Sequence, residues 1–265
     1  MSQPLGTTTM VSTQKNEVQK EEIEMQATIA RPLEATTTIV VPPRYEGPPG
    51  AANGGYISGL VARRIDGPAS VRLMAPVPLG RELTLAAHED GWSLWDGDIE
   101  LARARPSDRP AEPPDPVGFG PALRASLAAD RTWHPFPNCF VCGPLRRMGE
   151  GMGLTPGPVE GRDLMATAWV PMPEVVGSRY MVPNELVWAT LDCPSAWPVM
   201  RAGETAVLGT LTAELHRPVR VKEPLVVASW ARGIEGRKLL SGSALYSGFG
   251  DVVAVAEATW IKIDG

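Results

Sequence analysis

The sequence predicts an α+β protein made of two copies of one unit, in which a curved antiparallel sheet wraps around a long buried helix. Three observations lead to this fold class. A helical segment in the first half is apolar nearly all round, which is typical of a buried helix. In both halves such a helix precedes a series of strand-like segments separated by turn signals. The strands of the two halves also align at a constant offset of 142 residues, which indicates a duplication.

The composition is that of an ordinary globular protein. Of the 265 residues, 43% are hydrophobic and 21% are charged, so a buried core is expected. The formal net charge is -5 and no run of Lys and Arg occurs, which argues against nucleic acid or an anionic membrane as a partner. No stretch approaches the roughly 20 apolar residues of a membrane span, and no secretory signal is recognised. With only three cysteines, we expect a cytoplasmic protein without disulfides.

The first half of the chain is interpreted as a polar arm followed by one structural unit. Residues 1–35 predict a flexible arm with a transient helix near residues 16–29. A buried helix is expected to begin at Asn53, because Asn is a good N-cap residue. Asp90-Gly91 predicts a tight turn between two strands. Strands are expected at residues 36–41, 69–75, 81–89 and 93–105.

A long connection precedes the second unit. The Pro-rich, acidic residues 106–121 predict a surface linker, and the rest of the segment up to residue 161 is expected to be ordered but irregular. The second unit, residues 162–265, then repeats the order of elements, with a helix from Asn184 to about Trp197. Its strands are expected at residues 164–170, 206–216, 224–234, 238–247 and 252–263.

The internal alignment and the start of the first helix carry a family resemblance. Met74-Ala75-Pro76-Val77 aligns with His216-Arg217-Pro218-Val219. Asn53-Gly54-Gly55-Tyr56, followed by the segment 71–77, resembles the opening half of double-hotdog acyl-CoA thioesterases of the thioesterase II type. The resemblance covers about residues 36–105 and 162–264, and it implies a tandem hotdog fold.

The resemblance also implies where a catalytic site would lie. Hotdog thioesterases begin this helix with His-Gly-Gly or a similar sequence and place a carboxylate nine positions after the His. The backbone N–H groups at the helix start bind the thioester oxygen, and the carboxylate of the other unit acts as nucleophile or general base. Here the first half has Asn53, Gly54 and Gly55 but Ala62 at the ninth position, whereas the second half has Pro183 at the start and Asp192 at the ninth position. Each half retains what the other lacks, which predicts one composite site per chain.

Alternatives remain open for each of these residues. Asp192 could instead form a structural ion pair with an arginine such as Arg217. If it is functional, burial should raise its pKa. Glu185, seven residues earlier on nearly the same helix face, is a second candidate acid, or it could simply stabilise the helix dipole. Asn53 could be an N-cap only, and the Gly54-Gly55 pair could serve tight packing against the neighbouring sheet.

Further candidates concern the substrate. Ser195, Thr210 and Thr212 are candidates to orient a water near Asp192, and His216 is expected to be structural. The predicted substrate contacts are Tyr56, Trp188, Ser195 and Thr210. The cationic candidates for a phosphate of CoA or of a carrier protein, alternatively ordinary surface charges, are Arg63, Arg64, Arg146 and Arg147.

A cysteine-containing segment has ligand-like spacing. His134, Cys139 and Cys142 could bind a metal together with Cys193, but a structural zinc site usually has two ligand pairs and only one CxxC is present. We therefore expect a packed loop near the cleft, with no metal and no cofactor. A zinc site, a redox pair and a nucleophilic Cys193 are the alternatives.

These observations predict an acyl thioester hydrolase acting on acyl-CoA or an acyl-carrier thioester. One alternative is hydration or dehydration of an acyl thioester on the same fold, which would need a histidine, and His216 is the one expected near the cleft. The other is a non-catalytic acyl-CoA-binding protein, because Asn53 replaces the usual His. A second copy of the chain is a candidate partner.

Overall fold

A computed structural model describes residues 33–263 of the chain. Most of the predicted arm, including its transient helix, lies outside the described residues. Within them, eleven strands form one antiparallel sheet. No helix in this range is long and apolar enough to cross a membrane.

Within the described residues, the first unit contains one α-helix, five strands and a short 3-10 helix, Pro43–Tyr45. Helix α1 spans Gly54–Ala62. The strands are β1 Leu33–Val40, β2 Ala69–Leu73, β3 Glu82–His88, β4 Gly91–Asp96 and β5 Ile99–Pro106, in the order β1-β3-β4-β5-β2. The single strand predicted at residues 93–105 is wrong, because the chain reverses at Asp96 and pairs β4 with β5. Gly97 lies in that turn at φ 57°, a conformation that glycine adopts at no steric cost.

The connection between the units is more regular than expected. It contains helix α2, Phe119–Ala128, and the short strand β6, Gly157–Pro158. Helix α2 is not predicted from the sequence because its start is rich in Pro and Gly, but Pro121 lies in the first turn of the helix, where proline is tolerated. The buried side of α2 contacts a strand of the second unit, β7 Met165–Trp169, where the hydroxyls of Ser126 and Thr167 form a hydrogen bond.

The second unit repeats the first in order and pairing. Its elements are β7 Met165–Trp169, α3 Pro173–Val176, α4 Asn184–Ala196, β8 Thr205–Leu215, β9 Leu225–Glu235, β10 Lys238–Ser247 and β11 Val252–Ile263. Its five long strands run in the order β8-β11-β10-β9-β7, which mirrors the order in the first unit. In the second unit, the predicted strands and the main helix agree with the structure to within one or two residues.

The two units join where β2 pairs with β8. Ser70 lies opposite Thr212, and this pair is separated by 142 residues, the same offset as the internal alignment. On either side of it, Ala69 pairs with Ala213 and Val71 with Leu211, as a two-fold relation requires. The Thr212 hydroxyl donates to Ser70 Oγ over 2.8 Å. The two predicted copies are thus related by a pseudo-two-fold axis that passes through this pair. The α+β double-hotdog fold is confirmed.

Candidate active site

The two central helices, α1 and α4, approach each other very closely across the unit boundary. A Cβ atom on Gly55 would lie 2.4 Å from Asp192 Cβ and 2.9 Å from Ala189 Cα. One turn later, a Cβ on Gly59 would lie 2.5 Å from Glu185 Cα. Glycines four residues apart therefore let the start of α1 pack directly on α4, because residues four apart share a helix face. Gly55 thus packs against the other helix rather than against the sheet.

Asp192 lies at this contact with its carboxylate on the start of α1. Its side chain is 1% exposed. Asp192 Oδ2 accepts hydrogen bonds from the backbone N–H of Gly55 at 2.9 Å and from the Asn53 amide at 2.7 Å. The ion pair considered with Arg217 does not form, since that guanidinium binds Glu223 instead. The carboxylate is therefore held by neutral donors of the other unit.

The second carboxylate oxygen of Asp192 is free. Oδ1 is buried and has no hydrogen-bond partner within residues 33–263. Burial raises the pKa of Asp192 to about 7, while the Gly55 N–H and the Asn53 amide act in the opposite direction. A buried carboxylate oxygen without a partner is costly, so its retention favours a role beyond packing.

Asn53 has two structural roles at once. Its Oδ1 accepts from the backbone N–H of Tyr56 at 2.9 Å and so caps α1, as the sequence predicts. Its Nδ2 donates to Asp192 and faces the cysteine cluster described below. The neighbouring Gly54 N–H has no acceptor within the described part of the chain. This first-turn N–H remains available to a ligand.

A cavity of about 500 Å³ opens beside these groups. Asn53, Gly54 and Asp192 lie in its wall, so the cavity brings together the helix start of one unit and the acid of the other. Most of the wall is apolar and comes from both units and from the connection between them. It includes Leu73, Val77, Phe136, Trp197, Leu208 and Trp260. An apolar cavity with a few convergent polar groups is the usual form of a small-molecule site.

Several residues predicted from sequence lie outside this cavity wall. Glu185 is in the first turn of α4, so it is about 10 Å along the helix from Asp192. Tyr56 stacks on Tyr45 with ring centroids 4.0 Å apart. Ser195 Oγ donates to the Asp192 backbone carbonyl and accepts from Trp260 Nε1. The cavity wall does not include Tyr56, Trp188, Glu185, Ser195 or Thr210.

The histidine in the cavity is not the one expected. His216 lies 3.4 Å from Glu214 and outside the cavity wall, whereas His134 lies in the wall. His134 Nδ1 accepts from the Phe136 N–H at 3.0 Å, and burial lowers the pKa of this imidazole. The neutral ring then carries its proton on Nε2, which has no partner within residues 33–263. The sequence signal for His134 is its place before Cys139 in a Pro-rich segment, where the spacing points to metal binding rather than to acid–base chemistry.

The arginines proposed for phosphate binding also lie outside the cavity wall. Arg64 lies over the Trp92 ring, 5.2 Å from its centroid. Arg146 donates to the Asn138 carbonyl at 2.7 Å. Arg64 and Arg146 therefore have structural partners of their own.

All three cysteines gather at the same place. Their Sγ atoms lie within 4.8 Å of one another, and those of Cys139 and Cys193 are 3.6 Å apart. All three are buried free thiols in the cavity wall. The Cys142 and Cys193 thiols donate hydrogen bonds to Cys139, and backbone N–H groups of the turn donate as well. These hydrogen bonds hold the pKa of Cys139 well below its usual range. The packed loop expected near the cleft is therefore a thiol cluster touching Asn53.

Gly143 is essential to the turn that presents two of these thiols. A Cβ atom there would lie 2.5 Å from both the backbone N and O of Cys139. We expect Gly143→Ala to lower the free energy of unfolding by about 2 kcal/mol or more, because backbone atoms cannot move aside easily. The same variant should expose its thiols to a thiol reagent faster than wild type. Thermal unfolding and thiol-modification rates measure both effects, and an unchanged melting temperature would show that the turn is more compliant than its geometry indicates.

Comparisons with known proteins agree with this architecture. No protein-family model and no curated protein matches the sequence. Among solved structures, a conserved protein with hot dog fold from Alicyclobacillus acidocaldarius is similar with a TM-score of 0.56 and 11% identity, over 90% of this chain and 97% of that one. An acyl-CoA thioesterase II from Mycobacterium marinum has a TM-score of 0.54 and 11% identity, over 89% and 96% of the two chains. A tesB protein from Mycobacterium avium subspecies paratuberculosis has a TM-score of 0.54 and 12% identity, over 92% and 99%. At these identities the likeness shows the fold, a double hotdog spanning nearly the whole chain.

Proposed function

We propose that the protein hydrolyses acyl thioesters, with CoA or a carrier protein as the thiol group, at one composite site between its two units. The observation that carries this proposal is the position of Asp192. The carboxylate of the second unit lies on the N-terminus of α1 of the first unit, in the wall of an apolar cavity. The names of the similar solved structures, which include an acyl-CoA thioesterase II, support the same reaction class.

The start of α1 would hold the thioester carbonyl. The unused N–H of Gly54 and the positive end of the helix dipole favour an oxygen that becomes negatively charged during the reaction. The Gly55 N–H is already bound to Asp192, so Gly54 is the donor for the substrate. The acyl chain would then extend along the apolar cavity wall.

Asp192 would activate the attacking water. The Asn53 amide and the Gly55 N–H hold Oδ2, which leaves Oδ1 to accept a proton from water. The hydroxide adds to the carbonyl carbon, the C–S bond breaks, and the thiol leaves with the proton returned from Asp192. Direct attack by Oδ1 to form an anhydride, which water then hydrolyses, uses the same geometry.

A second candidate reaction is hydration or dehydration of an acyl thioester. His134 lies in the same cavity wall as Asp192, with an unpartnered Nε2, and this pair could serve as acid and base. The fold does not separate the two reactions, because one scaffold hosts several chemistries. The two reactions can be told apart by the substrates on which the protein acts.

The two reactions are distinguished by incubating the full chain with a panel of saturated acyl-CoAs of increasing length, crotonyl-CoA and a 3-hydroxyacyl-CoA. We expect free thiol to appear with saturated acyl-CoAs, following Michaelis–Menten kinetics. Interconversion of crotonyl-CoA and its 3-hydroxy product without thiol release would favour the hydratase. Saturable binding of acyl-CoA by calorimetry without any turnover would reject both enzymes in favour of a binding protein.

A further inference from the structure

The three buried thiols come from two distant parts of the chain. Cys139 and Cys142 lie in the connection between the units, and Cys193 lies on α4 directly after Asp192. In a tetrahedral site with Zn–S bonds of about 2.3 Å, the sulfurs are about 3.8 Å apart. The Sγ atoms of Cys139 and Cys193 are 3.6 Å apart, and all three lie within 4.8 Å of one another. The cluster therefore has the size of a single ion's ligand set.

The turn that carries two of the thiols is fixed by its own backbone. The N–H of Gly143 donates to the Cys139 carbonyl at 2.9 Å, and the N–H of Cys139 donates to the Phe136 carbonyl at 2.9 Å. The N–H of Phe140 donates to the Glu46 carbonyl of the first unit at 2.7 Å. These bonds hold Cys139 and Cys142 in place, so the ligand set is preorganised.

A polar donor also faces the sulfurs. Asn53 Nδ2 lies 3.4 Å from Cys193 Sγ and 3.9 Å from Cys139 Sγ, while it donates to Asp192 as well. In metal sites, donors that form hydrogen bonds to thiolate ligands stabilise the charge of the thiolates and fix their orientation. The amide that caps α1 and donates to Asp192 therefore also contacts two of the three thiols.

We propose that Cys139, Cys142 and Cys193 bind one zinc ion, with the fourth coordination position facing the cavity. All three cysteines lie in the cavity wall, so the fourth position is open to water or to a ligand in the cavity. Three protein ligands with one exchangeable position is the pattern of an open zinc site. On binding, the three thiols lose their protons to solvent and coordinate as thiolates. This site goes beyond thioester hydrolysis and does not depend on it.

The test is metal binding by the full chain, kept reduced with a phosphine and free of chelators. We expect about one zinc per chain by elemental analysis, retained through gel filtration. After removal of zinc, addition of Co²⁺ should produce the thiolate-to-cobalt charge-transfer absorption in the near ultraviolet and the visible bands of tetrahedral cobalt. Zinc should also raise the melting temperature of the stripped protein.

Variants identify the ligands. Cys142→Ser should weaken zinc binding by more than the roughly 10- to 100-fold that is lost when a residue hydrogen-bonded to a metal ligand is replaced. Met148→Ser serves as the matched control. The Met148 side chain is fully exposed and lies in the same segment, so the substitution removes a sulfur outside the cluster. This variant should bind zinc as wild type does.

Three outcomes would overturn the proposal. The reduced wild type could retain no zinc and give no charge-transfer band, a result that does not depend on any variant folding. Cys142→Ser could remain folded by circular dichroism and bind Co²⁺ as wild type does. Finally, the protein purified without reductant could show a disulfide by mass spectrometry and still fail to bind zinc after reduction, which would assign the cluster to redox chemistry.

Discussion

Replacing Asp192 with asparagine should reduce thioester hydrolysis by about 10²- to 10⁴-fold, the usual contribution of a general base. The amide keeps the shape of the side chain and an oxygen that can accept from Gly55 and Asn53. It cannot take a proton from water. Because Asp192 is buried and has no cationic partner within residues 33–263, the neutral amide removes a desolvation cost, and the variant should unfold at the same or a higher temperature. Steady-state thiol release and thermal unfolding measure the two effects.

The matched control is Glu185→Gln, the same change of acid to amide on the same helix. Glu185 lies outside the cavity wall, so its variant should retain activity within a few-fold of wild type. A folded Asp192→Asn variant with wild-type turnover would reject Asp192 as the acid. If activity is lost in Glu185→Gln and not in Asp192→Asn, Glu185 is the catalytic acid instead.

Gly55→Ala should lower both the stability of the protein and its activity. The added methyl group would lie 2.4 Å from Asp192 Cβ and 2.9 Å from Ala189 Cα, so α1 and α4 must move apart. Overpacking of this kind costs about 1–3 kcal/mol, which corresponds to a fall in melting temperature of about 2–12 °C for a chain of this size. The movement also displaces the Gly55 N–H from Asp192, so thiol release should fall along with stability.

Gly120→Ala is the control for helix propensity. Gly120 is exposed in the first turns of α2, and the nearest atom to an added Cβ is the end of the Arg124 side chain at 3.7 Å. This variant should be as stable as wild type or slightly more stable, because alanine favours a helix over glycine by up to about 1 kcal/mol. If Gly55→Ala is as stable and as active as Gly120→Ala, the close packing of α1 on α4 is not required for the stability or the activity of the site.

Local sequence signals predicted most of the fold. The long strands β8 to β11 alternate or run apolar between clear turns, and Asn53 caps α1 as expected. The 142-residue offset predicted the duplication, and the structure places the pseudo-two-fold axis at a pair with the same offset, because residues on such an axis pair with their own repeat equivalents. The reversal between β4 and β5 was missed although Asp96-Gly97 is itself a turn signal, since the flanking residues continue the strand-like pattern.

The composition of the cavity wall could not be predicted in the same way. Asp192 and Glu185 share a helix face, and only the position of α1 on α4 determines which of them meets Gly55. Asn53, Cys139 and Cys193 are brought together by contacts between the connection and both units, over separations of 54 to 140 residues. His134 enters the cavity for the same reason. Tyr56, Trp188, Ser195 and Thr210 lie close to the site in sequence but outside the cavity wall.

The composite site is tested most directly by a crystal structure of the Asp192→Asn variant with a non-hydrolysable acyl-CoA analogue in which a methylene group replaces the thioester sulfur. We expect the carbonyl oxygen about 2.7–3.1 Å from the Gly54 nitrogen, with the acyl chain in the apolar cavity and residue 192 beside the carbonyl carbon. An analogue bound with its carbonyl away from the start of α1, or outside this cavity, would contradict the account.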